Sequence, residues 1–110
     1  MEEQSLALLV KLIEEDTDTA LSVPPQMTEE DLVHILADCL RPLMEERMEY
    51  LMHLLYRMDV KEWRAKRAVS PYNTEPANVG LARVIIAREK QRLATRMQYP
   101  PKPIDDDLAW

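Results

Sequence analysis

Apolar residues recur every three or four positions along most of this chain, which is the spacing of one buried face on an α-helix. Leu6, Leu9, Val10 and Ile13 share such a face, with Leu8 and Leu12 broadening it, and predict a first helix over about Glu3 to Glu15. The polar run Glu14-Glu15-Asp16-Thr17-Asp18 ends it. Residues 17–27 include Pro24 and Pro25 and lose the helical period, so they read as an extended connector. Thr28 then opens a second helix as N-cap. Asp31 stands where a capping box places its acid, and Glu29 and Glu30 sit near the positive helix end.

From Leu32 the apolar positions Leu36, Leu40, Leu43, Met44, Met48, Leu51, Leu55 and Met58 continue for about eight turns. Pro42 removes one backbone donor within that run, so a kink or break is expected near Asp38 to Arg41. Met44, Met48, Leu51, Leu55 and Met58 alternate spacings of four and three, the seam of a helix packed along a neighbour, and Tyr50 and Leu54 widen it. Asp59 with Glu62 offers another capping signature, restarting a helix that carries Trp63 to about Val69. Residues 70–76 form a loop. Asn73 or Thr74 can cap a last helix over about Glu75 to Met97, whose apolar face is Val79, Ala82, Ile86, Leu93 and Met97 with Leu81 and Ile85 beside it. The expected fold is all-α: a compact bundle of three to five helices spanning residues 1–99, with a long Pro-kinked central helix and an extended C-terminal tail over residues 100–110.

Composition agrees with that picture. The 110 residues include one glycine and no phenylalanine, with 46% hydrophobic and 31% charged side chains. That suits one domain with its own core and is too apolar for a disordered chain. The longest apolar runs fall far short of the ~20 residues needed to cross a bilayer. A single cysteine, Cys39, excludes an internal disulfide, and the acidic start Met1-Glu2-Glu3 lacks the positive charge of a secretory signal, so a cytoplasmic location is expected.

Charge is distributed unevenly about the net of −6. Residues 1–50 hold 13 acidic and 3 basic side chains, whereas residues 51–110 hold 11 basic and 7 acidic ones. An acidic hairpin packed beside a basic helix accounts for this, within one bundle or across a dimer. The second account is a phosphate-binding face on the last helix formed by Arg83, Arg88, Lys90, Arg92 and Arg96, with Trp63 or Tyr72 stacking on bases. Glu62 and Glu89 interrupt that basic run.

Residues able to carry catalysis are few. Cys39 and His53 stand 14 residues apart on one expected helix, about 21 Å along its axis, too far for a nucleophile and its base. His34 between Asp31 and Asp38, and Glu46 and Glu49 with His53, are the groupings that could hold a cation. The second resembles the carboxylate and histidine ligands of di-iron helical bundles, but Glu49 precedes His53 by four residues instead of three. Only a symmetric dimer would complete such a set. With Gly80 alone, no phosphate-cradling loop or dinucleotide fingerprint can form. No catalytic residue, cofactor site or metal site is assigned, and an enzyme is not expected. Met44, Met48, Met52 and Met58 read first as core filler and second as an adaptable partner groove.

The tail holds Asp105, Asp106 and Asp107 followed by Leu108, Ala109 and Trp110. Over about six residues this arrangement resembles the acidic tip of bacterial single-stranded-DNA-binding proteins, although the remaining chain is unlike that family's oligonucleotide-binding barrel. Physically, an indole beside aspartates can fill an apolar pocket rimmed by Arg or Lys. Asp105, Asp106, Asp107, Leu108 and Trp110 are therefore the candidate partner-binding residues. Docking on a protein partner, docking on this chain's own basic helix, and no docking all stay open. The functional expectation is a non-enzymatic interaction or adaptor module that self-associates as a homodimer through the methionine seam. A nucleic-acid-associated protein is the alternative, and a metal-binding dimer comes third.

Overall fold

The computed structural model describes residues 3–98, and within them the chain is all-helical, in the order α1 (Glu3–Thr17), α2 (Glu29–Glu46), α3 (Met48–Arg57), α4 (Glu62–Ala68) and α5 (Ala77–Gln98). Tyr99 and the tail, with Asp105, Asp106, Asp107, Leu108 and Trp110, lie outside the described residues. Helix α5 is the centre of the bundle and packs on α2, α1 and α4, while α3 packs on α2 and α1.

The core is built from the expected helical faces. Leu9 and Ile13 of α1, Leu32 and Leu36 of α2, Leu51, Leu54 and Met58 near α3, and Leu81 and Ile85 of α5 are fully buried. Each such side chain contributes roughly 1.5–3 kcal/mol of burial. Four expected members differ: Leu8, Met48, Met52 and Met97 are exposed, because their helices turn those positions to solvent.

Helix α2 starts as its sequence dictates. Asp31 N–H donates to Thr28 Oγ1 at 3.1 Å, and Thr28 N–H donates to Asp31 Oδ2 at 3.0 Å, closing the reciprocal box. The expected break near Asp38 to Arg41 does not occur. Helix α2 runs through Pro42 to Glu46, and Pro42 and Asp38 are both exposed, so the carbonyl deprived of its donor faces water. The break comes instead at Arg47, with φ −138° and ψ 50°. There α2 ends on Glu45 and Glu46 with no base in its last turn, the wrong charge for the negative helix end. The long central helix is therefore two helices, of 18 and 10 residues.

Asp59 is a corner, but as a stop and not a start. It adopts φ 59°, its N–H donates to Tyr56 O and Val60 N–H donates to Leu55 O, both at 3.0 Å, which is a Schellman closure of α3. Lys61 precedes α4, with no side-chain cap. Asp18, at φ 52°, closes α1 in the same way, with Thr19 N–H donating to Glu14 O. In a chain this poor in glycine, two aspartates occupy left-handed positions that glycine usually fills.

Gly80 has a different purpose. A Cβ built there would lie 2.6 Å from Ala68 O and 3.0 Å from Asn73 Nδ2, so the glycine lets α5 cross the end of α4 at backbone distance. Asn73 Nδ2 also donates to Ala68 O at 3.0 Å, satisfying that carbonyl. Two residues before Gly80, buried Asn78 donates to Ala37 O at 3.1 Å and ties α5 to α2.

Candidate functional site

Four of the five basic residues assigned to a phosphate-binding face of α5 engage this fold's own acceptors. Arg83 forms a fork to Glu30 of α2 and Glu75 of the preceding loop, with contacts between 2.6 and 2.9 Å. That guanidinium pulls both carboxyls below their usual range, chiefly by hydrogen bonding. Lys90 Nζ lies 2.8 Å from Glu29 Oε1, and Arg92 pairs with Asp16 of α1. Arg88 donates to Met58 O at 3.1 Å and reaches Asp59 at 3.5 Å. Arg96 is exposed. The acidic first half and basic second half thus meet across α5 inside one chain.

Glu89, passed over in the sequence as an interruption of the basic run, is 0% exposed. The signal for it was present: Val79, Ala82, Ile86 and Leu93 alternate by three and four, and position 89 fills the missing step. Its carboxyl lies 3.5 Å from Arg92 through Oε2, while buried Oε1 has no hydrogen-bond partner among the described residues. Burial first, then hydrogen bonding and repulsion from Asp16, push its pKa up to about 8 against a partial opposing pull from Arg92 and Arg88. Near pH 7 Glu89 is a neutral acid enclosed between α1 and α5. It offers no exposed surface to a substrate.

The remaining chemistry-bearing residues are dispersed. His34 lies 3.5 Å from Glu30 on an exposed face, while Asp31 is committed to the α2 cap. Glu46, Glu49 and His53 are all exposed, and the break at Arg47 places Glu46 on a different helix from the other two. Among the described residues, no group of three His, Cys, Asp or Glu side chains is arranged to hold a metal ion. Cys39 is half-buried, and burial, then Asp38, raise its thiol pKa, leaving less thiolate.

One apolar surface stands out on α3. Met48 and Met52 are 47% and 46% exposed and Tyr56 is 83% exposed, at successive spacings of four that align them along one ridge. Beside it runs a groove of about 80 Å³ floored by Leu51, Leu55, Ala65 and Leu81, with half-buried Met44 at one end and exposed Val69 on the far wall. Glu62 and Lys66 of α4 form its polar rim, 3.1 Å apart. The methionine seam is thus divided: Leu51, Leu55 and Met58 enter this chain's core, while Met48 and Met52 face outward. No helix among the described residues is long and apolar enough to cross a membrane.

No family model matches the chain, and no curated protein or solved structure is similar to it.

Proposed function

We propose that this protein is a non-enzymatic interaction module that self-associates through the α3 ridge and the groove beside it. The observation that carries the reading is the pair of half-exposed methionines, Met48 and Met52, standing over a floor of buried leucines. Unbranched thioether side chains cost little to rearrange and fit an irregular apolar partner. Contiguous exposed apolar side chains with a polar rim are the usual mark of a contact surface.

A second copy suits the patch because the rim is self-complementary. Glu62 and Lys66 flank one groove, so a two-fold axis sets each acid against the other copy's base. The experiment is analytical ultracentrifugation of the full chain beside a Met48→Lys, Met52→Lys double variant. The expected result is a concentration-dependent dimer for the natural chain and a monomer of unchanged helicity for the variant. A natural chain that stays monomeric, or a variant that still dimerises, overturns the reading.

A further inference from the structure

A second surface lies on the other side of α4. Between α4 and α5 run two adjoining hollows, of about 230 and 400 Å³, that share Arg64 and Val84. The first is lined by Lys61, Arg64, Arg88 and Gln91; the second by Trp63, Arg67, Ala68 and Gly80. The two acids lining them are each held by a base: Asp59 by Arg88 and Glu75 by Arg83. Among the described residues, no carboxylate pairs with Lys61, Arg64 or Arg67. Arg64 instead stacks on the Trp63 ring at 5.2 Å, and that indole is 58% exposed. The cleft is therefore cationic at one end and apolar with an aromatic wall at the other.

We infer that this cleft is the docking site for the chain's own segment 105–110, with the aspartates over Lys61, Arg64 and Arg88 and Leu108 and Trp110 over Trp63, Ala68 and Val84. Charge complementarity comes first. Three consecutive aspartates, Asp105, Asp106 and Asp107, match Lys61 and Arg64, which have no carboxylate partner among the described residues, and Arg88, whose contact with exposed Asp59 is 3.5 Å long, in a protein whose net charge is −6. An external polyanion meets long-range repulsion, whereas a tethered acidic segment is held near the cleft by its linkage.

Order and reach come second. Val84, Arg88 and Gln91 line the cleft, and helical spacing continues that row through Thr95 to Gln98, the last described residue. Moving back from Gln98, Arg88 is about 15 Å away along the axis, Val84 about 21 Å and Gly80 about 27 Å. Asp105 to Asp107 reach at most about 30 Å beyond Gln98 and Trp110 about 40 Å, so both span the distances needed. Folding the segment back along α5 presents acidic residues to the cationic end first and apolar residues to the aromatic end next. The sequence of chemistry along the segment repeats the sequence along the cleft. This placement does not depend on the methionine ridge across α4.

The test compares amide and indole NMR spectra of the full chain with those of a chain ended after Tyr99, at protein concentrations low enough for the natural chain to be monomeric. Expected are shifts concentrated at Trp63, Arg64, Val84 and Arg88, restored when a synthetic peptide of residues 100–110 is added to the shortened chain. The triple change Asp105→Asn, Asp106→Asn, Asp107→Asn in that peptide weakens its binding about tenfold, through three lost charge contacts at a solvent-exposed site. Superimposable spectra, or shifts confined to Met48 and Met52, overturn the inference. So does measurable binding of a single-stranded oligonucleotide with equal strength by full and shortened chains, because it shows a cleft that the segment does not cover.

Discussion

Replacing Glu89 by Gln gives the most direct test of how the two halves of this chain are joined. Glu89 is 0% exposed, and its pKa stands at about 8 against an ordinary 4.5. Below pH 4.5 the carboxyl is protonated in both folded and unfolded chains and pH has no leverage through it. Between pH 4.5 and about 8 the unfolded chain ionises while the folded chain holds its proton, so stability falls as pH rises. Above that window both states are ionised and the loss is complete. At about 1.4 kcal/mol per pKa unit, the full swing has a ceiling of about 5 kcal/mol. Relaxation around the ionised group and the Arg92 and Arg88 cations lower the observable part to about 2–3 kcal/mol.

Gln is the neutral isostere, and its amide can still donate to Asp16. Urea unfolding followed by circular dichroism, run in steps from pH 5 to 8.5, should give the natural chain and the Glu89→Gln variant similar stability at pH 5. At pH 8 the variant should be more stable by about 2–3 kcal/mol. Asp16, Arg92 and Arg88 face the same group, and the exposed histidines His34 and His53 are common to both proteins, so they drop out of the difference. Parallel stability curves across this range, or a natural chain that gains on the variant as pH rises, would refute the account of a neutral buried acid.

Four further outcomes follow from the packing. Gly80→Ala should destabilise the fold by about 2–4 kcal/mol in thermal or urea unfolding, because the new methyl meets the Ala68 carbonyl oxygen at 2.6 Å, a backbone atom that cannot swing aside as a flexible side chain would. Asp59→Gly should stabilise it by about 0.5–1 kcal/mol by relieving the left-handed strain at φ 59°, with little loss from the exposed 3.5 Å contact to Arg88. Asn78→Ala removes the buried bond to Ala37 O between α5 and α2 and should cost about 1–3 kcal/mol. Thr28→Ala opens the α2 capping box and should cost about 1 kcal/mol, seen as a lower urea midpoint with an unchanged slope.

The helical class, the α2 start and most core positions were legible because each rests on short-range rules: an apolar period of three to four and a cap three residues from its acid. Of the kink or break expected at Pro42 no break occurs, because the penalty for a missing donor depends on whether the orphaned carbonyl faces water, which periodicity does not encode. The break at Arg47 had its own mark in Glu45 and Glu46, acids at a helix end that favours bases. Glu89 was hidden by its chemistry: its position says core, its charge says surface, and only burial beside Asp16, an acid from a distant part of the chain, with Arg92 one turn along α5, reconciles the two. Gly80 was legible as an absence of phosphate loops, but its actual purpose, close passage of α5 over Ala68, needed the third dimension. The methionines were ambiguous for the same reason, since Met58 and Met52 share a helical pattern and differ in which side of α3 the core occupies.

Helix α4 is where these features converge. Its seven residues turn Ala65 and Ala68 inward, Glu62 and Lys66 toward the methionine groove beside the C-cap Val69, and Trp63, Arg64 and Arg67 toward the basic cleft. No side chain caps its start, and its grip on α5 depends on two alanines and the missing Cβ of Gly80. A helix so short is not stable by propensity and takes its position from packing. The separation between α4 and α5 therefore sets the shape of both surfaces at once, and a substitution such as Gly80→Ala that forces the helices apart changes the groove and the cleft together. The charge imbalance of the sequence has the same origin. Arg83, Lys90 and Arg92 lock α5 to the acidic α1 and α2, whereas α4, with acids far fewer than bases, is left with the cations that face outward.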